Sequence, residues 1–471
     1  MGRVRGGHAV VLGGSVAGLL AARVLSDHYE RVTLVERDVL ALGVGQRRGV
    51  PQGRHLHALQ PSGRRVLDEL FEGFTAEMVG DGALVGDVLG AVRWILTGNR
   101  LAQTDAGLPA LFSSRPFLEG HIRARVLALP NLTVRDGTDV LSLTATGDRI
   151  TGVRVAANCR TASATEPENG TIEADLVVDA TGRASRTPLW LEQLGYQRPA
   201  VERVEIDVRY ATRSYRLRPG ALDRDLLVAV TPTRTIRRSG VLAVQEGGEA
   251  LVTLIGRGQQ PPTDRAGFEA YAATLAFPDI ADALRGAEPV GEPVRYRFPA
   301  SVRHRYERLP RVPAGLLVTG DAMASFNPVY GQGMAVAAAE AAALRDMLAA
   351  GVPDPAAWFR RAAKAIDTPW RVAVGADLAD PNVPGERTRM VRLVNAYLPK
   401  VHLAAARDAS IAESLIRVMS MVDPPARLFA PGLVLRVLRT ARRVAAAPAP
   451  EFPLADLAGA EGGVGGVGRR P

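Results

Sequence analysis

The stretch HAVVLGGSVAGLLAARVLSDHYERVTLVERD, His8 to Asp38, constrains the fold more than any other segment. Val10, Val11 and Leu12 make a short apolar run suited to a buried parallel strand. Gly13, Ser15 and Gly18 then hold the three positions of a G-x-G-x-x-G turn ahead of an apolar helix. The first glycine permits a sharp turn, and the third lets helix and strand pack closely. Ser15 replaces the middle glycine, and its small hydroxyl can itself donate to a phosphate. A second strand, Arg31 to Val35, ends at Glu36, a carboxylate placed to accept from ribose hydroxyls. The unit reads as strand, turn, helix, strand holding a dinucleotide, with the helix amino end presented to the diphosphate.

Two later segments repeat the pattern of an apolar strand running into a polar turn. LVVDATGRASRTPLWLEQLGY supplies Leu176 to Val178 and then Asp179, Thr181 and Gly182. GLLVT, Gly315 to Thr319, runs into GDAMASFNPVYGQGM, which places a lone carboxylate, Asp321, before a Pro- and Gly-rich loop and an alanine-rich helix. Glycine there gives backbone freedom and an amide surface that no side chain blocks.

Taken in order, these three segments resemble the fingerprints of the flavoprotein monooxygenases of the p-hydroxybenzoate hydroxylase fold. The resemblance runs over residues 8–345. It is similar in detail to an actinobacterial branch that includes polyether epoxidases, through QRRGVPQGRHLHAL, SSRPFLEGHIR, RYATRSYR and FNPVYGQGM. It implies one FAD, bound by Gly13, Gly14, Ser15, Ala17, Gly18, Glu36 and Arg37 at its adenosine half. Asp179, Gly182, Gly320, Asp321, Pro328, Gly331, Gly333 and Met334 would serve its flavin half. Asp321 would bond a ribityl hydroxyl, Pro328 would lie beside the ring, and the amides of Gly331, Gln332 and Gly333 would face its pyrimidine edge. Arg115, opening a helix, and Arg48, in the loop bordering the flavin, are the implied cofactor arginines. No side-chain nucleophile is required, so the catalytic candidates are Pro328, Gly331, Gln332 and His57.

The resulting class is α/β: a discontinuous Rossmann-like FAD-binding domain at 1–75, 105–189 and 300–345, and a substrate lobe at 76–104 and 190–299. A helical region at 346–446 and a flexible tail at 447–471 complete the chain. Alternation in VEIDVRYATRSYRL, DLLVAVTP, GVLAVQ and ALVTLIG predicts an antiparallel sheet over the flavin, with a hairpin at Glu246-Gly247-Gly248-Glu249. Tyr210, Thr212 and Tyr215 are candidate substrate contacts, although alternation divides them between two faces.

Composition narrows the partners. The chain has 471 residues, 47% of them hydrophobic, and a net charge of +9. All but two of its 58 basic residues are arginine, without a basic tail, which argues against nucleic acid. A single cysteine, Cys159, excludes an internal disulfide and fits the cytoplasm. Cys and His do not cluster at metal-ligand spacing, so no metal is expected. The amino-terminal apolar run is broken by glycines and lacks a cleavage site, and no membrane span is expected.

The resemblance implies an FAD-dependent monooxygenase of natural-product biosynthesis, reduced by transiently bound NAD(P)H. It would transfer oxygen from O2, through a flavin C4a-hydroperoxide, to a hydrophobic polyketide- or terpenoid-like or aromatic small molecule, by epoxidation or hydroxylation. A non-redox [4+2] cyclase that keeps FAD, and a flavin-dependent double-bond reductase, would carry the same flavin loops. The Trp-x-Trp-x-Ile-Pro segment and dedicated lysine of the superfamily's halogenases are missing, which argues against halogenation.

Overall fold

The computed structural model describes residues 6–40, 43, 45–158 and 169–446; Cys159 and the tail from Ala447 lie outside the described residues. Five parallel strands form the first sheet, in the order Leu316–Val318, Leu176–Asp179, Gly6–Leu12, Tyr29–Val35, Leu132–Arg135. Apart from the half-exposed edge strand Leu132–Arg135, their apolar runs are buried, the environment parallel strands require. The edge strand Leu316–Val318 comes from late in the chain and pairs with Leu176–Asp179. The carboxyl ends of the first strand and of these two therefore lie side by side, which is where open α/β sheets bind ligands.

Gly13 is held at φ +98°, and a Cβ there would lie 2.6 Å from the Ala180 carbonyl oxygen. Only glycine lets the first turn pass this close to the next strand end. At Gly18 a Cβ would collide with the Gly13 carbonyl, which accounts for the tight seat of helix Val16–Ser26 on its strand.

The substrate lobe is built on an eight-stranded sheet in which Ala200–Arg216 lies between Glu288–Arg305 and Ala250–Arg257, antiparallel to both. The expected hairpin is present, joining Ser239–Val244 to Ala250–Arg257. Val92–Leu96 enters this sheet in parallel beside Leu227–Val230. One face is packed by helices Arg265–Ala273 and Asp279–Leu284 through Tyr215, Val228, Leu242, Phe268 and Ile280. The other face carries Val208, Tyr210, Ala229, Val241 and Ile255 toward an internal cavity. Helix Gly333–Ala350 packs on helices Val16–Ser26 and Pro61–Leu70, and helix Pro355–Asp377 packs on it and on strand Leu316–Val318, where Trp358 donates to the Val318 carbonyl. Helices Arg389–Ala405, Ala409–Met419 and Pro431–Ala446 close over the open side of the substrate lobe through Val401, Ile411, Leu415 and Val437.

Candidate functional site

A single continuous cavity of about 2480 Å³ runs from Glu36 and Arg37, past Gly13, Ser15 and Arg115, to Asp321 and the loop Pro328–Gly333, and on into the substrate lobe. That exceeds the roughly 300–1,000 Å³ of an ordinary ligand pocket, so there is room for an extended cofactor and a second molecule.

At one end a charged network fixes the first turn. Glu36 accepts from the Gly14 amide at 2.6 Å and from the Asp38 amide at 2.9 Å. Helix Val16–Ser26 has no side-chain cap; the Ser15 hydroxyl instead donates to Glu119 at 3.0 Å and accepts from Arg115 at 3.1 Å. Arg115 also pairs with Glu119, one helical turn further on. Arg47 reaches Glu36, the Gly14 carbonyl and Glu119 from the loop before the short turn at Pro51. Burial alone would raise the Glu119 carboxyl, but Arg115 and Arg47 beside it hold it below the ordinary value. The resulting floor under the turn keeps Arg115 beside Ser15.

The loops after the other strands meet this floor. Gly320, at φ +65°, brings its turn against Ala17, where a Cβ would come within 2.7 Å of the Ala17 Cβ. Asp321 follows, accessible within the cavity yet deep inside the protein volume. Burial raises its carboxyl, against the pull of Arg183 and Arg115. Among the described residues it makes no hydrogen bond or ion pair. From behind, buried Glu340 accepts from the Gly320 amide at 2.8 Å and the Thr319 hydroxyl at 3.2 Å. Burial pushes Glu340 up to about 8, and the nearby Asp321 charge adds to the rise.

The loop Pro328–Gly333 is pinned from the far side. Asp377, fully buried at the end of its helix, accepts from Asn327 at 2.7 Å, Arg257 at 2.7 Å and Tyr330 at 3.0 Å. Burial raises Asp377 despite Arg257, and these three donors fix it as their common acceptor. Gly331, at φ +63°, closes the turn. A Cβ on Gly331 or Gly333 would project into open space. Helix Gly333–Ala350 begins here without a side-chain cap, and buried Gln332 Oε1 has no partner.

His55 and His57 also line the cavity. His55 bonds Thr212 at 2.7 Å, lies 5.1 Å from the Tyr296 ring and leaves Nε2 unsatisfied. Burial lowers it to about 4, with help from Arg54. His57 bonds the His55 carbonyl at 2.8 Å, and burial next to Arg115 lowers it to about 3. Both imidazoles are neutral at physiological pH.

Several sequence expectations need correction. Asp179 does not face the cavity. It is fully buried and holds its own turn together, accepting from the Thr181 amide and hydroxyl and from the Ser185 and Thr187 hydroxyls. Arg48 is exposed and lines nothing in the cavity; its neighbour Arg47 turns inward instead. Tyr215 packs against Phe268 on the far side of the sheet. Thr212 lies behind His55, and of the three only Tyr210 lines the cavity. Gly14 and Gly18 shape the turn without lining the cavity. Gly13, Ser15, Ala17, Glu36, Arg37, His57, Arg115, Gly182, Gly320, Asp321, Pro328, Gly331, Gln332, Gly333 and Met334 all line it. Sequence reasoning missed Arg47, Glu119, Glu340 and Asp377, whose roles depend on contacts across long separations.

The chain is 36% identical over 430 residues to Protein Rv3254 of Mycobacterium tuberculosis, covering 88% of this chain and 90% of that protein. The chain belongs to the family of Protein Rv3254. No family model matches it. Among solved structures it is similar to the flavin-dependent brominase Bmp2, with TM-score 0.64 and 14% identity over 93% of this chain and 99% of that one. It is also similar to pqsL, a probable FAD-dependent monooxygenase from Pseudomonas aeruginosa, with TM-score 0.56 and 16% identity over 86% of this chain and 98% of that one. For the Diels-Alderase PyrE3 the values are 0.57 and 18%, over 88% and 80%. The fold of this member of the Rv3254 family is thus that of the flavin-dependent monooxygenases, and at these identities the likeness speaks to fold alone. The cavity suits a flavin dinucleotide: an unpaired carboxylate at Asp321, two uncapped helix ends and open glycine surfaces line one continuous path.

Proposed function

We propose that the chain is an FAD-dependent monooxygenase acting on a hydrophobic small molecule of the polyketide, terpenoid or aromatic kind, by epoxidation or hydroxylation. The observation that carries this reading is the convergence of two loops about 300 residues apart in sequence, at Gly13–Ser15 and Asp321–Gly333, on one cavity that continues into an apolar chamber. Gly13, Ser15 and Arg115 would hold the diphosphate and Glu36 the adenosine ribose. Asp321 would take the ribityl chain, and the Pro328–Gly333 loop would border the ring. A flavin held there would supply the redox chemistry, passing two electrons from NAD(P)H to O2 so that one oxygen atom goes to the substrate and the other leaves as water.

The protein's own contribution is placement and exclusion of water. The amides at the start of helix Gly333–Ala350 present a positive dipole end to the pyrimidine edge. Neutral His55 and His57 neither repel nor neutralise charge that develops there. Val208, Tyr210, Ala229 and Val241 on the sheet, with Leu398, Leu415 and Val418 on the helices, make a water-poor chamber for the substrate.

The test is anaerobic addition of NADPH to the yellow holoprotein, with and without candidate alkene and aromatic substrates. Bleaching of the flavin band, with oxygenated product after O2 is admitted, is expected. Turnover of a polyene with oxidised flavin, in the absence of both NADPH and O2, would replace this reading with that of a cyclase. Turnover needing NADPH but not O2 would replace it with that of a reductase.

A further inference from the structure

The charge of this protein is concentrated in one layer. Residues 389–446 contain nine arginines and one lysine against three acids, a surplus of seven in a chain whose total is +9. All three acids are already paired: Asp408 with Arg436, Glu413 with Arg417, and Asp423 with Arg417 and Arg427. Arg389, Arg392, Lys400, Arg439, Arg442 and Arg443 have no acidic partner among the described residues.

The same layer exposes large apolar side chains. Met390 is 64% exposed, Leu393 59%, Leu435 48% and Phe429 37%. In helix Arg389–Ala405 the positions Arg389, Arg392, Leu393, Ala396 and Lys400 follow i, i+3, i+4, i+7, i+11 and share one solvent face, with Met390 at its edge. Phe429 adjoins this helix, its ring 5.3 Å from that of Tyr397. Exposed Leu435 sits among Arg436, Arg439 and Arg442 on the outer side of helix Pro431–Ala446. Met390 and Phe429 also line the apolar chamber, so they stand at one of its mouths.

Cations interleaved with exposed apolar side chains on helix faces are the pattern of a surface that lies in a lipid interface. We propose that the layer 389–446 docks on an anionic lipid bilayer, with the chamber mouth at Met390 and Phe429 facing the lipid, so that an apolar substrate enters without crossing water. No helix among the described residues is long and apolar enough to cross a membrane, so the contact is one of lying on the surface. A soluble polyanion would engage the arginines but would gain nothing from Met390 and Leu393, and this distinction makes the proposal testable.

Sedimentation of the full chain with vesicles of phosphatidylcholine alone, or of phosphatidylcholine mixed with phosphatidylglycerol, reads the affinity directly and does not depend on which reaction the flavin performs. Binding is expected only with phosphatidylglycerol, and raised salt should weaken it. Arg389→Gln with Arg392→Gln should weaken it about 25-fold, at about fivefold per basic side chain. Met390→Ser with Leu393→Ser should also weaken it, with an unchanged circular dichroism spectrum. Absence of binding, or equal binding to the neutral vesicles, overturns the proposal. A loss in the arginine variant without any loss in the serine variant assigns the surface to a soluble polyanion and overturns it as well.

Discussion

Glu340 offers a sharp test of how the second cofactor turn is held. Its carboxyl is fully buried, accepts from the Gly320 amide and the Thr319 hydroxyl, and has a pKa raised by burial from 4.5 to about 8. Between those two values the folded chain keeps a proton that the unfolded chain has released. Stability from this group is therefore fully present below about pH 4.5, declines as pH rises, and levels off above pH 8. The slope is about 1.4 kcal/mol per pH unit, or roughly 2 kcal/mol between pH 6 and pH 7.5. Glu340→Gln is neutral throughout and retains an acceptor for the Gly320 amide. Its stability relative to the parent should therefore rise by roughly 2 kcal/mol over that interval, since every other titration is common to both proteins. Urea unfolding of both proteins, followed by tryptophan fluorescence at several pH values, measures the difference. A difference that stays flat between pH 6 and pH 7.5, or moves in favour of the parent, refutes the reasoning.

Asp321→Ala removes a carboxylate that no protein group satisfies, so the fold should survive while FAD retention weakens by roughly 1.5–3 kcal/mol, read by flavin titration of the apoprotein. Gly13→Val forces a side chain into the Ala180 carbonyl at positive φ, and both flavin content and thermal stability should fall. Wild-type melting with full flavin would contradict the placement of that turn. Asp377→Ala leaves Arg257 without its buried partner and frees the Pro328–Tyr330 loop, with an expected loss of roughly 3 kcal/mol in urea unfolding. An unchanged midpoint would show that the loop is held by other means.

What could be read in the chain follows how local each signal is. Gly13, Gly18 and Glu36 lie within one strand-turn-helix unit, and their roles in the turn need no distant contact to be inferred. Asp179 sits in an equally clear strand-end position, but the hydroxyls of Thr181, Ser185 and Thr187 satisfy it locally, and a motif does not reveal which way such a carboxylate faces. In Ala200–Arg216 the register shifts between Thr212 and Ser214, and Tyr215 lies on the face opposite Tyr210. Strand Glu288–Arg305 is hard to read in the sequence because Pro289, Pro293 and Pro299 usually speak against a strand. It tolerates them because, apart from its short pairing with Ala324–Ser325, it forms an edge of its sheet. Arg47 came from an irregular loop with no period to read, and Glu119, Glu340 and Asp377 look like ordinary helix acids until their partners arrive.

The order of strands in the parallel sheet also bears on how the protein is made. Leu316–Val318 is an edge of that sheet and the last of its strands to be synthesised. A nascent chain that has already produced Gly13, Glu36 and Arg115 still lacks Asp321 and the glycine loop, and about 200 residues, roughly half of them the antiparallel lobe, must emerge first. Pairings of such sequence separation form slowly and leave a bare strand edge at Leu176–Asp179 in the meantime. Cofactor supply during synthesis would therefore act late, as a clamp on a nearly finished chain rather than as a nucleus for the first domain.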